Sequence, residues 1–257
     1  TEIYTLSLHD ALPICGEKRY SGGLTFNASF NFQKAMYIGY GVNEGGPFGT
    51  SYTQNPRDRR ADYGRSQIDQ RFRFVFSNVW EIPWMRNAKG PKGWFLGGWS
   101  INGIVQLTSG LPVTVSQNGD SQNTGPSSFQ RPHIAAGSEI GRVWENRSPD
   151  RWFDTTAFVR SKCNGCAGEG IFQGNGYGNA GTSLFDSPAL KTWDFACFKE
   201  FHPKEGHRIQ IRWEAFNFLN TPQFSAPSRA LGAADFGRIN GTAINNREMQ
   251  LGLKYLF

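Results

Sequence analysis

The sequence lacks the run of about 18 or more apolar residues that a membrane-spanning helix requires. Charged residues are also scarce, at 19%, and the mean hydropathy is -0.49. These shortages exclude a membrane helix but not a membrane strand. A transmembrane β-strand needs only about 9–11 residues with every second one apolar, so an averaged hydropathy does not reveal it.

Aromatic residues and glycine are abundant, at 14% and 31 residues respectively. Phe is the main large apolar residue, whereas a soluble core normally relies on Leu, Ile and Val. Aromatic, glycine-rich and polar sequence favours pleated sheet over helix. The composition therefore predicts an all-β protein.

Strict alternation of apolar and polar residues occurs in about six runs. The clearest begin at Leu24, Arg71, Trp99, Arg208 and Met249. Alternation places successive side chains on opposite faces of a strand. The runs reach roughly 10–14 residues, which exceeds the usual globular strand of ~5–6. We therefore predict an antiparallel transmembrane β-barrel fragment of about six to eight long strands, with an incomplete barrel and long extracellular loops.

The alternation assigns side chains to two media. We predict contact with lipid for the apolar set Phe26, Phe30, Phe72, Phe74, Phe76, Trp99, Ile101, Val105, Leu107, Phe195, Ile209, Ile211, Trp213, Leu251 and Leu253. We predict a lumen-facing position for the polar set Arg71, Arg73, Gln106, Arg212 and Glu214. Cys197 is expected on the lipid face as a small apolar residue.

The gaps between the runs alternate between long and short. The long gaps span about 35–70, 112–190 and 219–247, and the short ones about 83–94 and 202–207. Outer-membrane barrels have long external loops and short periplasmic turns. With Phe257 in the periplasm, every short gap falls inside and every long gap outside. Trp80, Trp84, Trp94 and Trp99 then lie near the periplasmic rim, as an aromatic girdle would.

The chain finishes mid-pattern on Tyr255-Leu256-Phe257. Soluble proteins seldom end on a bulky apolar strand residue, because termini fray in water. The stretch resembles the C-terminal signature of outer-membrane proteins. By that resemblance, Tyr255 and Phe257 act as a signal for the barrel-assembly machinery.

From Tyr63 onward the chain resembles the C-terminal barrel of the Oar-like TonB-dependent receptors, which carry a carboxypeptidase-regulatory-like N-terminal domain. The resemblance rests on short stretches in order, with no single one decisive: Tyr63–Ser66, Asp69–Val75, Gly98-Trp99, Ser109–Pro112, Trp152–Asp154, Arg212–Asn220, Phe236–Ile239 and the closing strand. It implies a barrel wall of about 22 strands around a plug. It also implies solute uptake in the bacterial outer membrane, energised through TonB by way of an N-terminal plug that this sequence does not contain.

The first fifteen residues, Thr1 to Cys15, resemble translated sequencing adapter. We therefore treat residues 1–15 as an artefactual segment, with an ordinary loop or helix as the alternative. Residues 16–257 are expected to be the C-terminal part of a longer outer-membrane barrel that cannot close or transport by itself.

Motifs for catalysis and metal binding are weak. Cys163 and Cys166 have the spacing of half a zinc site, but no second pair follows. In an oxidising external loop we predict a disulfide between them, with free thiols or a metal as alternatives. Asp150, Asp154 and Asp186 have no constraint that would pair them as acid and base. We expect no enzyme activity, no catalytic residue, no metal and no cofactor.

The net charge of +6 is spread along the chain, except for the cluster Arg57, Arg59 and Arg60. Scattered basic residues argue against nucleic acid as a partner. The cluster is either a solvated loop or a contact for lipopolysaccharide, since both are consistent with exposed positive charge. The expected partners are outer-membrane lipid and lipopolysaccharide, the barrel-assembly machinery and the TonB system.

Two alternatives to a transporter wall remain open. The first is a complete, small outer-membrane porin or adhesin barrel of about eight strands. The second is a secreted β-sandwich that binds carbohydrate through its aromatic residues. Solubility without detergent would favour the sandwich, and further strands upstream of Gly16 would favour the transporter.

Overall fold

A computed structural model describes residues 8–38, 54–55, 57–83, 90–118, 130–138, 147–161 and 177–257 of the chain. Within these ranges the structure is almost wholly β, with one α-helix, α1 (Pro91–Leu96), and 3-10 turns at Arg59–Asp62 and Thr155–Ala157. No helix among the described residues has the length and apolar character needed to cross a membrane. The strands are β1 (Leu8–Ser21), β2 (Leu24–Ile38), β3 (Tyr63–Arg65), β4 (Phe72–Glu81), β5 (Trp99–Thr108), β6 (Pro112–Val113), β7 (Ser116–Gln117), β8 (His133–Ile134), β9 (Phe158–Val159), β10 (Phe185–Asp186), β11 (Leu190–Lys204), β12 (His207–Phe216), β13 (Ala230–Leu231) and β14 (Glu248–Leu256).

One eight-stranded sheet contains all the long strands. They are hydrogen-bonded in the order β1-β2-β4-β5-β11-β12-β14, and the short β3 pairs with β2. Neighbours are antiparallel throughout. Among the described residues, β1 and β14 do not pair with each other, so the sheet is open. The predicted all-β, antiparallel fold is confirmed.

The register keeps apolar residues opposite apolar residues across the sheet. Phe74, for example, lies opposite Phe30 on β2 and Leu107 on β5. Directly opposite residues share a face. All the apolar residues that we predicted to contact lipid therefore lie on one face of the sheet. This surface is the apolar face; its contact with lipid stays a prediction.

The opposite surface, the polar face, carries Arg73, Gln106, Arg212 and Glu214. Arg73 lies opposite Thr108, Gln106 opposite Thr192 and Glu214 opposite Gln250, whereas Arg212 lies opposite Phe198 and Gly252. Arg71 lies just before β4, where its carbonyl accepts a hydrogen bond from the Gln33 amide. The pattern has exceptions on both faces. Val75 and Val79 lie on the polar face and Lys199 on the apolar face, as the sequence indicated.

Long and short connections leave the sheet at opposite ends, as the gap lengths predict. The β1–β2 turn is two glycines with positive φ, and Gly206 has φ of 77° in the β11–β12 turn. Gly23 also needs to be glycine for space, because a Cβ there would lie 2.3 Å from the Glu81 carbonyl oxygen. The three long connections all leave from the other end.

The strand count from the sequence missed β1, because residues 1–15 were excluded from it. Residues 8–15 form the first part of β1 and pair in register with β2, from Leu8 opposite Met36 to Cys15 opposite Ser29. The backbone of residues 8–15 therefore pairs with one edge of β2. The resemblance of this segment to sequencing adapter gave no indication of a strand. The adapter origin of residues 1–15 stays a prediction.

A second unit lies next to the sheet. We call it the loop cap and define it as the described residues of 54–62, 66–70, 111–118, 130–138, 147–161, 177–187 and 219–243. Its core consists of Val113, Val115, Phe153, Ala157, Phe158, Ala180 and Phe185, with Trp152, Leu184 and Phe236 packed against them. The rings of Phe153 and Phe185 lie 4.5 Å apart. The long connections therefore fold together around their own apolar core.

Candidate functional site: the loop cap and the polar face

The loop cap joins all three long connections. The β2–β4 connection reaches the β5–β11 connection where Gln54 donates to the Gly178 carbonyl at 2.8 Å. The β12–β14 connection joins by pairing β13 with β7 in parallel and by a bond from the Trp152 amide to the Gly237 carbonyl. Loop segments from distant parts of the chain thus form one surface at one end of the sheet.

Asp69 attaches the cap to the sheet. One carboxylate oxygen accepts from the Ala35 amide on β2 at 2.8 Å, and the other accepts from Arg65 at 2.7 Å. Arg65 also donates to Asp186 at 2.8 Å. Asp69 is fully buried, so its charge depends on these partners. Arg65 consequently links the end of β2 to the β10 segment of the cap.

Arg131 is the centre of a second buried ion pair. Its guanidinium donates to Asp62 at 2.5 Å, to the Ala180 carbonyl at 2.7 Å and to the Ala61 carbonyl at 3.0 Å. Side-chain exposure is 1% for Arg131 and 2% for Asp62. A guanidinium with its donors satisfied in this way fixes the geometry of three chain segments at once.

Buried amides continue this polar network into the cap. Gln117 donates to Gln130 at 3.1 Å and to the Ser161 hydroxyl at 2.5 Å, and it accepts from the Ser161 amide. Gln54 accepts from the Arg131 amide at 2.7 Å. Buried polar networks of this kind favour one arrangement of the backbone over alternatives.

His133 lies on β8 inside the cap, 3% exposed. Its Nδ1 accepts a hydrogen bond from the Asn179 amide at 3.1 Å. Burial lowers the pKa of His133, and this outweighs the opposing effect of the contact with Asn179. The neutral ring is therefore the form that fits the folded cap.

The three aspartates considered for catalysis each have a structural partner. Asp186 accepts from Arg65, Asp150 accepts from Arg238, and Asp154 caps the 3-10 turn by accepting from Thr156. The Thr156 hydroxyl lowers the pKa of Asp154, and the Ser228 hydroxyl lowers that of Asp235 in the same way. These contacts account for the three carboxylates without an acid–base pair.

On the polar face, charged side chains connect neighbouring strands. Gln210 donates to Glu200 at 2.7 Å and accepts from Arg212 at 2.5 Å. The Arg212 guanidinium also lies 5.6 Å from the Phe198 ring centroid, which explains an aromatic residue on this face. Gln250 donates to Glu214 across β14 and β12. Arg212 and Glu214 thus belong to one cross-strand polar surface.

Several residues singled out in the sequence lie apart from this surface. Arg57 and Arg60 are exposed and Arg59 is partly buried beside the cap. The stacked rings of His207 and Tyr255 lie at the short-turn end, and Phe257 is 92% exposed. Trp94 and Trp99 also lie at that end, with Trp80 less exposed. Cys163, Cys166 and Trp84 lie outside the described residues.

Sequence reasoning missed the residues that hold the cap together. Asp62, Asp69 and Arg131 lie in turn-rich segments without periodicity, and their partners are up to 77 positions away. The one available signal was the resemblance at Tyr63–Ser66 and Asp69–Val75, which included Asp69 but neither Asp62 nor Arg131 and assigned no role. Within the described ranges, no group of three or more His, Cys, Asp or Glu residues is placed to hold a metal ion.

Comparison with known proteins gives one match. The family model described as "Outer membrane beta barrel domain" matches residues 4–250. No curated protein and no solved structure matches the chain.

The buried Arg131–Asp62 pair allows a stability prediction. Arg131→Met removes the buried cation that pairs with the Asp62 carboxylate and binds two carbonyls, so we expect the cap to lose about 3–5 kcal/mol of stability while the sheet persists. The double variant Arg131→Met, Asp62→Leu should recover part of that loss. Limited proteolysis of the cap across a urea series measures the effect. Arg151→Met is the matched control, because its pair with Asp154 is solvent-exposed and is expected to contribute at most ~1 kcal/mol.

The lowered pKa of His133 allows a pH prediction. Because the folded pKa lies below the unfolded value of about 6.5, the unfolded chain takes up the proton first as pH falls. Cap stability should be full above pH ~6.5 and decrease below it. The protection factor of the Asn179 amide, which corrects for the slower intrinsic exchange at low pH, should fall as the pH is lowered from about 7.5 to about 5. His133→Gln should abolish that fall, and an unchanged profile in the variant would refute the assignment.

Proposed function

This chain belongs to the outer membrane β-barrel domain family, and on that premise we propose that it forms part of the wall of a TonB-dependent transporter. The protein is an outer-membrane barrel protein and is located in the bacterial outer membrane. The further proposal concerns the class of barrel, its direction in the membrane and its use for uptake of a solute.

The observation that carries the proposal is the two-faced sheet with the loop cap at one end. An apolar face built from long strands suits contact with the hydrocarbon region, where each strand must pair its backbone groups with its neighbours. Leu251 and Leu253 on β14 are 77% and 75% exposed. Residues this apolar and this exposed indicate a surface that lipid covers rather than water.

The loop cap supports a role in solute capture. External loops in outer-membrane barrels are the part that meets solutes first. Here the described parts of these loops are held by the buried Arg131, Asp62, Asp69 and Gln117 network, so the exposed groups of the cap lie on a fixed backbone. Preorganised groups bind with a smaller loss of conformational entropy. We assign solute recognition to this end of the sheet.

The TonB-dependent class is favoured by the stretches that resemble Oar-like receptors, which extend from Tyr63 to the closing strand. Under this proposal Arg71, Arg73, Gln106, Arg212 and Glu214 face the lumen and a plug that reaches the TonB system. Charged residues on a transmembrane strand are tolerated on the lumen side and are costly on the lipid side. The role is transport and structure, without catalysis.

The short-turn end supports a role in assembly. Tyr255 and Phe257 are exposed at the end of β14, and their rings lie 5.7 Å apart. We propose that they are recognised by the barrel-assembly machinery. The exposed arginines Arg57 and Arg60 at the cap end would meet lipopolysaccharide, whose phosphates attract positive charge.

Energy dependence tests the transport proposal. Cells that produce the full-length protein containing this chain should deplete at least one solute from a mixed medium, saturably, and only with TonB present and the inner membrane energised. Mass spectrometry of the medium measures the depletion. A matched strain without TonB and a wild-type strain with an uncoupler are the controls. Non-saturable depletion that persists in both controls would identify a passive porin instead.

A charge placed on either face of β14 tests whether the apolar face meets lipid and the polar face meets the lumen. Leu251→Arg should destabilise the protein folded in lipid vesicles by about 2–4 kcal/mol, because arginine near the bilayer midplane loses its hydration. Gln250→Arg places the same charge on the adjacent residue of the polar face, opposite Glu214, and should cost less than ~1 kcal/mol. Urea titration followed by tryptophan fluorescence gives both values. Equal costs would mean that the two faces meet the same medium.

A further inference from the structure

Lys199 is a lysine on the apolar face, and it is 5% exposed. It lies on β11 opposite Trp99 of β5 and Ile211 of β12. Its amino group donates to the Gly97 carbonyl, and the nitrogen lies 4.6 Å from the Phe201 ring centroid and 5.6 Å from that of Trp99. The cation is thus placed among rings and one carbonyl, on the side of the sheet that is mostly apolar.

No ion pair with a carboxylate compensates this charge among the residues the structure describes. Glu200, the next residue, lies on the polar face, where it accepts from Gln210. A buried ammonium without a counter-ion is costly, because a carbonyl and two rings replace only part of its hydration. The ammonium group lacks a counter-ion, and a bound anion would supply one.

The Lys199 side chain lines a cavity of about 410 Å³. Apart from Lys199, its walls are apolar: Phe95, Trp99, Cys197, Phe201, Ile211 and Trp213. One cation at the edge of an apolar recess matches a ligand with one anionic group and a hydrocarbon chain. A free phosphate would leave the apolar walls in contact with water, and an uncharged lipid would leave the lysine without its counter-ion.

The position of α1 sets the depth of this recess. The helix connects β4 to β5 and lies next to Lys199. Its residues Trp94, Phe95 and Leu96 are 50%, 66% and 54% exposed. The Trp94 ring packs on Phe201 at 4.9 Å, and the Trp99 indole donates to the Phe95 carbonyl at 3.0 Å. Exposed tryptophan beside exposed aliphatic residues is typical of the headgroup level of a bilayer. Lipid phosphates lie at that level.

We propose that this recess binds an anionic phospholipid, with its phosphate on the Lys199 amino group and the start of one acyl chain along Trp99, Ile211 and Trp213. The proposal rests on the apolar face meeting lipid, but not on TonB or on the transported solute. Phosphatidylglycerol is the probe, because it carries one negative charge where phosphatidylcholine carries none overall.

Tryptophan quenching by brominated lipids tests the site, since Trp99 and Trp213 line it. The full chain is reconstituted in phosphatidylcholine bilayers that contain a minor fraction of dibrominated phosphatidylglycerol or dibrominated phosphatidylcholine. We expect a roughly fivefold preference for the anionic lipid, the size of effect that one lysine near the membrane surface produces. Equal quenching by the two lipids would overturn the lipid site while leaving the wall orientation intact. Failure of both lipids to quench would overturn the orientation as well.

Variants separate the charge from the cavity. Lys199→Met should remove the preference and Lys199→Arg should keep it. Lys191→Met is the matched control, because Lys191 lies on the same face of the same strand at the opposite end, opposite Leu107, and should leave the preference unchanged. Ile211→Trp fills the recess while retaining the lysine, so it should also remove the preference. A preference that survives in both Lys199→Met and Ile211→Trp would refute the proposal.

Discussion

The register of one antiparallel sheet is the constraint on which the rest of the structure depends. Because side chains alternate with a period of two, a slip of one residue between neighbouring strands would move every side chain to the other face. Pairings such as Phe30 with Phe74 and Phe74 with Leu107 carry the same assignment from strand to strand. An apolar face, a polar face and two distinct ends follow from that single property.

The two ends of the sheet differ in the connections that they carry. At one end the turns are short, Trp94 of α1 packs on Phe201, and the Gly97 carbonyl after α1 accepts a hydrogen bond from Lys199. At the other end the connections are long enough to bury an apolar core of their own around Phe153 and Phe185, and they are fixed to β2 through Asp69. The cap is therefore stabilised by contacts of its own. Under the proposed function the cap would meet solutes in water, and the apolar face would lie in lipid.

The order and type of the long strands could be predicted from alternation, because that pattern is local and survives in short stretches such as 24–33 and 99–108. The family resemblance agreed with it and with the outer-membrane family that the chain matches. Prediction failed in two places for different reasons. The first part of β1 was excluded because residues 1–15 resemble translated sequencing adapter. The cap was described only as long loops because its contacts join residues such as Arg131 and Asp62 that no periodicity connects.

The sequence alone determined which side chains share a face, since a strand has only two faces and the residue numbers decide between them. It also determined which connections are long, and hence which end of the sheet could carry a folded surface. Only the tertiary structure decided that the long connections form one unit, and that Lys199 lies under α1 beside Trp99 and Phe201 rather than extending from an apolar strand. The physical reason is the separation in sequence over which each interaction acts. Alternation acts between neighbours in sequence, whereas buried ion pairs and packed rings depend on where distant segments meet.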